Sequence, residues 1–280
     1  MGGIRGARAL VAVVLTGIGL AASPVLAGAA TITTNPEANR IEYFAGFQEE
    51  GLVDINRAGV KDEGAPDSAA TGILFQHFGG AAISPSGECR TPDGGPPDFS
   101  AVCPVLPELF MEMGDGEDTI TGHTTDVAWQ IYAGGGDDTI SGGEARDVFY
   151  GEDGNDVLAG DDGDDILWGM KGNDDLYDED GDHQMVGGGG DDSLIDGEGD
   201  SRLFGDRGTL EPPGKDVIID KGGSDRVDGG DKNDILRLRD GVVEDQINCG
   251  LGRDDKAIVD AGEASKAFRN GCEHTIRPRG

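Results

Sequence analysis

Basic and aromatic residues are scarce in this sequence. It contains 22 lysines and arginines against 55 aspartates and glutamates, which gives a formal net charge of −33. The phosphates of a nucleic acid would be repelled by such a surface, so we expect no nucleic acid partner. Aromatic residues make up only 5% of the chain. By composition alone, an acidic disordered linker would be as reasonable an interpretation as a folded domain.

Long apolar runs are also rare. The run from Ala9 to Ala22 follows Arg5 and Arg8 and precedes Ser23, Pro24 and the sequence Val25-Leu26-Ala27. It is shorter than the roughly 20 residues that a membrane-spanning helix needs, and the layout is typical of a secretory signal peptide. We therefore expect cleavage after residue 27, a secreted extracellular protein, and no membrane span in the mature chain.

The chain has only four cysteines and no CxxC spacing. In an exported chain this favours disulfides over a metal cluster. Four cysteines allow three connectivities. We expect Cys89 to pair with Cys103 and Cys249 with Cys272, because short-range closure is easiest and a repeat array lies between the two pairs.

Catalytic motifs are missing as well. The sequence has no HExxH, GxSxG or Walker A motif, and its four histidines are dispersed. Aspartates could supply a pair of carboxylates for hydrolysis, but most of them follow a fixed period that has another explanation. We expect that the protein is not an enzyme. A hydrolase with its site in the N-terminal part is the less favoured alternative.

Glycine and aspartate at fixed spacing dominate the rest of the sequence. Residues 133–237 divide into eleven consecutive units of nine, interrupted by one six-residue insertion, Gly208 to Pro213. An isolated match, MGDGEDTIT, covers residues 113–121. In chain order the units read AGGGDDTIS, GGEARDVFY, GEDGNDVLA, GDDGDDILW, GMKGNDDLY, DEDGDHQMV, GGGGDDSLI, DGEGDSRLF, GDR then GKDVII, DKGGSDRVD and GGDKNDILR.

Position eight of every unit is apolar. One inward side chain flanked by two outward ones fits a three-residue strand with alternating faces, and the other six residues would form a turn. Eleven apolar positions in register argue against the disordered linker. The position-eight residues are Ile140, Phe149, Leu158, Leu167, Leu176, Met185, Leu194, Leu203, Ile218, Val227 and Leu236.

Positions four and six carry the polar chemistry. Position four is Gly in nine of the eleven units, the exceptions being Ala145 and Lys232, and position six is Asp in nine, the exceptions being His183 and Ser201. Glycine suits a positive φ or a close approach of carbonyls to an ion. Carboxylates and backbone carbonyls are the oxygen ligands that Ca²⁺ prefers. An EF-hand starting at Asp178 is excluded, because its sixth position is not Gly and no Glu closes the loop.

These residues resemble the RTX, or hemolysin-type, calcium-binding repeat GGxGxDxUx. The resemblance implies an all-β fold, a parallel β-roll (β-solenoid) in which two units make one turn and several Ca²⁺ ions bind between turns 18 residues apart. The ligand residues that it implies are Gly134, Gly136, Asp138, Gly143, Asp147, Gly154, Asp156, Gly163, Asp165, Gly172, Asp174, Gly188, Gly190, Asp192, Asp216, Gly223, Asp225 and Asp234.

In the resembled fold, odd-numbered units stack on one edge (the odd edge) and even-numbered units on the other (the even edge). Position six is Asp throughout the odd edge, although unit nine carries the insertion, whereas His183 and Ser201 are neighbours on the even edge. We predict a well-filled odd edge and a gapped even edge, whose best site lies between Asp147 and Asp165 despite Ala145. Neighbouring units have no histidine or cysteine that matches His183, so we interpret it as part of a degenerate calcium site rather than a transition-metal ligand.

Four segments follow: a signal peptide (1–27), a small β-rich N-terminal module (28–112), the calcium-binding roll (113–237) and a disulfide-closed C-terminal cap (238–280). Caps are expected because solenoid ends expose strand edges. The segment from Cys249 to Asp254, followed later by Cys272, resembles the end cap of secreted actinobacterial repeat proteins. Many RTX proteins use an uncleaved C-terminal signal instead, so toxin or protease activity is not carried over.

The outward positions of the even units form an apolar stripe that includes Tyr150, Trp168 and Phe204. A terminal segment of the same chain would cover it, or it would bind a partner or stack on a glycan. The expected function is extracellular calcium binding with calcium-dependent folding, as a structural or binding module. The alternative is a calcium-dependent adhesin or glycan-binding protein with a cell-surface or polysaccharide ligand.

Overall fold

A computed structural model of the chain describes residues 30–45, 52–58, 72–77, 83–85, 87–89, 100–104, 106–122, 127–207, 211–238, 245–260 and 271–276. The predicted signal peptide lies outside the described residues. Within these ranges every regular element is a β-strand, which confirms the all-β fold class. No helix long and apolar enough to cross a membrane occurs in this part of the chain.

Twenty-three strands make up the described structure. In chain order they are β1 (Ala30–Asn35), β2 (Arg40–Phe44), β3 (Leu52–Ala58), β4 (Gly72–His77), β5 (Ile83–Pro85), β6 (Ser100–Pro104), β7 (Glu108–Asp115), β8 (Thr119–Gly122), β9 (Ala128–Gly135), β10 (Thr139–Gly143), β11 (Val148–Asp153), β12 (Val157–Asp161), β13 (Ile166–Lys171), β14 (Asp175–Tyr177), β15 (Gln184–Gly189), β16 (Ser193–Ile195), β17 (Arg202–Phe204), β18 (Val217–Asp220), β19 (Arg226–Asp228), β20 (Ile235–Leu238), β21 (Gln246–Asn248), β22 (Lys256–Val259) and β23 (His274–Ile276).

The strands form two sheets, and successive repeat units alternate between them. The first sheet has the order β21-β19-β17-β15-β13-β11-β9-β7-β2-β1-β5, and the second β23-β22-β20-β18-β16-β14-β12-β10-β8-β3-β4-β6. Even units therefore stack in the first sheet and odd units in the second. Ile140 lies opposite Leu158, which lies opposite Leu176, in parallel register. Two units thus make one turn, which confirms the predicted parallel β-roll.

One apolar core runs along the roll. The position-eight side chains of all eleven units are at most 1% exposed, while positions seven and nine of most units are half-buried, as the alternating faces of a strand require. The core continues through Met113 and Ile120 before the first unit and through Ile247 and Ala257 after the last. The inward positions predicted from the period are thus the buried ones.

The isolated match at residues 113–121 belongs to the same roll. Strand β7 pairs in parallel with β9, placing Gly114 opposite Gly134, and β8 pairs with β10. The preceding strands extend both sheets, because β2 pairs in parallel with β7 and β3 with β8. Antiparallel pairs follow outside them, β1 with β2 and β4 with both β3 and β6. The N-terminal strands therefore cover the first turn of the roll.

The insertion and the disulfides leave the stacking intact. Strand β16 pairs with β18 in register, with Leu194 opposite Ile218, although the insertion lies between them. Both predicted disulfides are confirmed, Cys89 with Cys103 and Cys249 with Cys272. The second joins the residue that follows β21 of the first sheet to a residue just before β23 of the second. It ties the two sheets together at the C-terminal end.

Candidate calcium-binding site

A ladder of aspartates runs along the odd edge of the roll. Oδ1 of Asp156 accepts the backbone N–H of Asp138 at 2.8 Å, and Oδ1 of Asp174 accepts that of Asp156 at 2.8 Å. The Asp192 backbone N–H donates to Oδ1 of Asp216 at 2.9 Å, so the insertion between the two residues in sequence does not break the ladder. The remaining carboxylates that make the same contact belong to Asp138, Asp192, Asp234 and Asp255.

The second carboxylate oxygen of the odd-edge aspartates is buried and has no hydrogen-bond partner. A buried carboxylate oxygen without a donor is costly unless a cation or a proton neutralises it. Each of these residues is at most 2% exposed. Each of these aspartates therefore needs a cation or a proton at its second carboxylate oxygen. The oxygens concerned are Oδ2 of Asp138, Asp156, Asp174, Asp192, Asp216 and Asp234.

Burial raises the pKa of every one of these carboxyl groups, and it is the largest cause in each case. The hydrogen bond from the backbone N–H lowers the pKa again in part, while neighbouring carboxylates raise it further. A cation competes with these protons for the same oxygens. The pKa is about 8 for Asp138, about 6 for Asp156, about 7 for Asp174, about 8 for Asp192, about 9 for Asp216 and about 7 for Asp234.

Position four stacks backbone directly on backbone. A Cβ on Gly154 or Gly172 would overlap the carbonyl group of the position-four residue one turn earlier, and the same holds for Gly136 and Gly190. Gly172 also has a φ of +120°, which a side chain would strain. On the even edge Gly163, Gly181, Gly199 and Gly223 repeat this close approach. The predicted position-four glycines are therefore required by contact between turns.

Position two has a positive φ in several units, both with and without glycine. Gly134 and Gly188, both predicted site residues, have φ values of +110° and +122°. Glu152, Asp161 and Met170 occupy position two with φ of 76°, 72° and 82°. Gly143, the third predicted glycine of this position, ends strand β10. The prediction selected only glycines at this position, so it missed the three turns in which Glu152, Asp161 and Met170 have a positive φ.

Position one was missed by the sequence reasoning. Its glycines lie against Oδ2 of the position-six aspartate of their own unit, where a Cβ would overlap the oxygen, as at Gly151 beside Asp156 and Gly169 beside Asp174. The signal was present, since position one is Gly in seven of the eleven units. Asp118 and Asp255 were missed too, because they lie outside the eleven units. Both are buried within the same ladder.

On the even edge the hydrogen bonds from backbone N–H groups to position-six side chains continue from turn to turn, but two of the acceptors are not carboxylates. Oδ1 of Asp147 accepts the Trp129 N–H at 2.8 Å, and Oδ1 of Asp165 accepts the Asp147 N–H at 2.7 Å. In the next two turns the acceptor is a different atom. His183 Nδ1 lies 3.4 Å from the Asp165 N, and Ser201 Oγ accepts the His183 N–H at 3.0 Å. Burial raises the pKa of both Asp147 and Asp165 to about 7. A calcium site between them stays a prediction.

Aspartates also occupy position one of some even units, including units six and eight, in which position six has no carboxylate. Asp178, Asp196 and Asp220 hold this position in the three even units from unit six onward, and none is more than 3% exposed. They build two groups whose ligand atoms lie within 4.8 Å of one another. The groups are Asp165 with Asp178 and His183, and Asp196 with Asp220 and Asp225.

The family model described as RTX calcium-binding nonapeptide repeat (4 copies) matches residues 130–158, 150–182, 159–194, 186–209 and 213–242. The roll is an RTX calcium-binding repeat array. Its buried carboxylates fit the hard cation that RTX repeats bind, since they supply oxygen ligands and negative charge at successive turns. The repeat sequence, the geometry of the turns and the negative charge of the buried aspartates thus all support calcium binding by the RTX roll. Comparisons with curated proteins and with solved structures found no match.

Proposed function

We propose that this is an extracellular protein whose RTX roll folds on binding calcium and then acts as a structural or binding module. The observation that carries the proposal is the row of six buried position-six aspartates of the odd units, each with one carboxylate oxygen that lacks a hydrogen bond. Stacked carboxylates repel one another by several kcal/mol per pair at an intermediate dielectric, on the order of the Coulomb energy at close range. Bound Ca²⁺ reverses that repulsion, so binding and folding are one event.

A calcium titration of the full chain tests this function. Far-UV circular dichroism of calcium-depleted protein should change from a disordered to a β spectrum, with a midpoint on the order of 0.1–1 mM Ca²⁺, as in extracellular modules. Mg²⁺ is the matched control and should be ineffective, because it demands a compact octahedral shell. A complete β spectrum in chelator would contradict calcium-dependent folding.

The extracellular part of the proposal rests on the N-terminal apolar run and on the two disulfides. Disulfides persist in oxidising compartments. Mass spectrometry of protein recovered from culture medium should give a chain that begins at residue 28 and has no free thiols. Protein retained in the cell with residues 1–27 still attached would contradict export.

A glycan-binding or adhesin role is the second candidate, favoured by the aromatic stripe on the first sheet. The rings of Tyr132 and Tyr150 are stacked, with centroids 4.7 Å apart and planes at 11°, and Phe110 lies 5.7 Å from Tyr132. Trp168 continues the row in register with Tyr150. Tyr132, Tyr150 and Trp168 are half-buried. Because Tyr132 and Tyr150 cover each other's faces, the half-exposed outer edges of the row would supply the apolar contact with a sugar ring.

The aromatic stripe is displaced toward the N-terminal end of the roll relative to the prediction, since it loses Phe204 and gains Phe110 and Tyr132. Phe204 is only 4% exposed, and the Arg207 guanidinium lies 4.3 Å from its ring centroid. The half-buried part therefore runs from Phe110 to Trp168. Beside it, a cleft of about 300 Å³ is lined in part by Arg40, Phe110 and Arg146. Arg40 is paired with Glu42 at 3.0 Å, and the chain is strongly acidic, so a neutral polysaccharide fits this surface better than an acidic one.

Retention on cell-wall material and on purified neutral polysaccharide, measured with and without calcium, tests this candidate. Trp168→Ala should reduce calcium-dependent retention. Tyr177→Ala, which removes an exposed aromatic from the other sheet, is the matched control and should not. Equal retention of both variants and the parent chain would argue against the stripe as the binding surface.

We propose no catalytic activity for the RTX roll, because its buried aspartates are accounted for by calcium. A hydrolase site in the N-terminal module is the weaker alternative. Turnover of any member of a substrate panel in the presence of calcium would favour that alternative.

A further inference from the structure

One position of the even edge brings a nitrogen ligand among the carboxylates. His183 Nδ1 lies 3.1 Å from Oδ2 of Asp178, and both residues share a group with Asp165. All three residues are at most 3% exposed. Among the described residues that hold position six, His183 is the one histidine.

The stacking of turns builds this group. Asp178 and His183 come from positions one and six of unit six, and Asp165 from position six of unit four. Strands β13 and β15 pair in register, with Ile166 opposite Gln184, which holds the two turns at fixed spacing. Gly160 leaves the necessary room. A Cβ there would lie 2.5 Å from Asp165 Oδ2 and 2.8 Å from each Asp178 oxygen.

An independent observation points to a ligand in this space. Oδ2 of Asp165 has no hydrogen-bond partner and belongs to a side chain that is 0% exposed. It is directed toward the same space beside Gly160 as the Asp178 carboxylate. Two buried carboxylates that face each other repel unless a cation or a proton lies between them. The unpaired oxygen is therefore a ligand position within the group.

The donor set selects the class of cation. Calcium takes oxygen ligands, whereas imidazole suits Zn²⁺, Co²⁺ and neighbouring transition metals. Two carboxylates and one neutral imidazole carry a charge that one divalent ion cancels. The group of Asp196, Asp220 and Asp225 offers oxygen alone, so the histidine is what distinguishes the two sites.

We propose that Asp165, Asp178 and His183 form a site for one transition-metal ion of the zinc class, in place of the degenerate calcium site that the sequence indicated at His183. Among the described position-six residues, only His183 adds a nitrogen ligand, so this site occurs once in the described part of the roll. The zinc-class ion would join units four and six at the turn where His183 replaces the position-six carboxylate.

Cobalt is the probe for this site, because Co²⁺ occupies zinc sites and absorbs visible light when bound to protein. The full chain is kept in millimolar Ca²⁺ and titrated with Co²⁺. One equivalent of Co²⁺ should bind with a visible ligand-field spectrum and should be displaced by one equivalent of Zn²⁺. Absence of Co²⁺ binding in calcium would overturn the proposal.

His183→Asp is the decisive variant, because it restores the residue that position six has in nine units. It should keep calcium-dependent folding in circular dichroism and should weaken Co²⁺ binding by about 100-fold or more, since it removes a direct ligand. Unchanged Co²⁺ affinity in this variant would overturn the proposal.

A second variant and one control complete the test. Asp178→Gly gives unit six the position-one residue of unit four and should also abolish the Co²⁺ spectrum. The control, His274→Ala, removes an exposed histidine whose Nε2 lies 2.9 Å from Oδ1 of Asp254. It should bind Co²⁺ like the parent chain. Loss of the spectrum in His274→Ala alone would place the metal on the surface and overturn the proposal.

Discussion

The backbone N–H of Asp156 donates to Oδ1 of Asp174 at 2.8 Å, one turn further along the roll, while Oδ2 of Asp174 is buried without a hydrogen bond. Asp174→Asn keeps a carbonyl oxygen for the rung but removes the charge that calcium needs. The calcium midpoint should rise about tenfold, equivalent to about 1.4 kcal/mol. In chelator the Asp174→Asn variant should have more β structure than the parent chain, because it lacks one of the carboxylates that repel each other. Circular dichroism titrations measure both effects.

Asp162→Asn is the matched control for that substitution. Asp162 has the same charge but lies exposed at position three of its turn. Its replacement should leave the calcium midpoint within twofold of the parent value, about 0.4 kcal/mol. If both variants shift the midpoint equally, net charge rather than the ladder controls folding.

The raised pKa values of the ladder predict opposite pH dependences with and without calcium. The folded-state pKa is about 6 for Asp156 and about 9 for Asp216, against about 4 in an unfolded chain. Calcium-free stability from these groups is therefore fully present below about pH 4 and is lost as the pH rises through 6 to 9. Calcium-depleted protein should gain β signal in circular dichroism when acidified from pH 9.

In the presence of calcium the trend should reverse. Protons compete with Ca²⁺ for the same oxygens, so the calcium midpoint should rise as the pH falls from 8 to 6. Titration calorimetry in buffers with different ionisation enthalpies should detect proton release on binding. A calcium midpoint that does not change over this range would contradict the assignment of the ladder as the binding site.

Gly172→Ala should prevent normal stacking of the turns. The glycine has a φ of +120°, and a Cβ would overlap the carbonyl of Gly154. Strain and overlap together should destabilise the calcium-bound roll by on the order of 3 kcal/mol, measured by urea denaturation in saturating calcium. Gly222→Ala is the control, because its Cβ would meet Glu198 atoms no closer than 3.5 Å. It should change stability by less than about 1 kcal/mol.

Removal of the Cys249–Cys272 disulfide should loosen the C-terminal end of the roll. The bond closes a segment with a sequence separation of 23, so the Cys249→Ala, Cys272→Ala double variant should lose about 3 kcal/mol. Hydrogen exchange should show β21, β22 and β23 losing protection first. The Cys89→Ala, Cys103→Ala pair is the comparison and should leave exchange in these strands unchanged. Equal loss of protection in both variants would contradict a local role.

The sequence alone determined the repeat architecture. Alternating strand faces place one residue in nine inward, so Leu158 and Leu176 are identified as core by their period alone. The same period assigns Asp156 and Asp174 to one edge. Cys249 and Cys272 are close enough in sequence for their pairing to follow from short-range closure. All these relations depend on local geometry that repeats without change.

Tertiary structure decided the relations between turns that break the repeat. Asp178 and Asp165 occupy different positions of different units, and only the stacking of the turns brings both beside the space left by Gly160. Stacking likewise carries the ladder from Asp192 to Asp216 past an insertion and brings the 113–121 segment into the roll. Period alone cannot reveal such contacts, because they depend on the path of each turn and on the space that its neighbours leave.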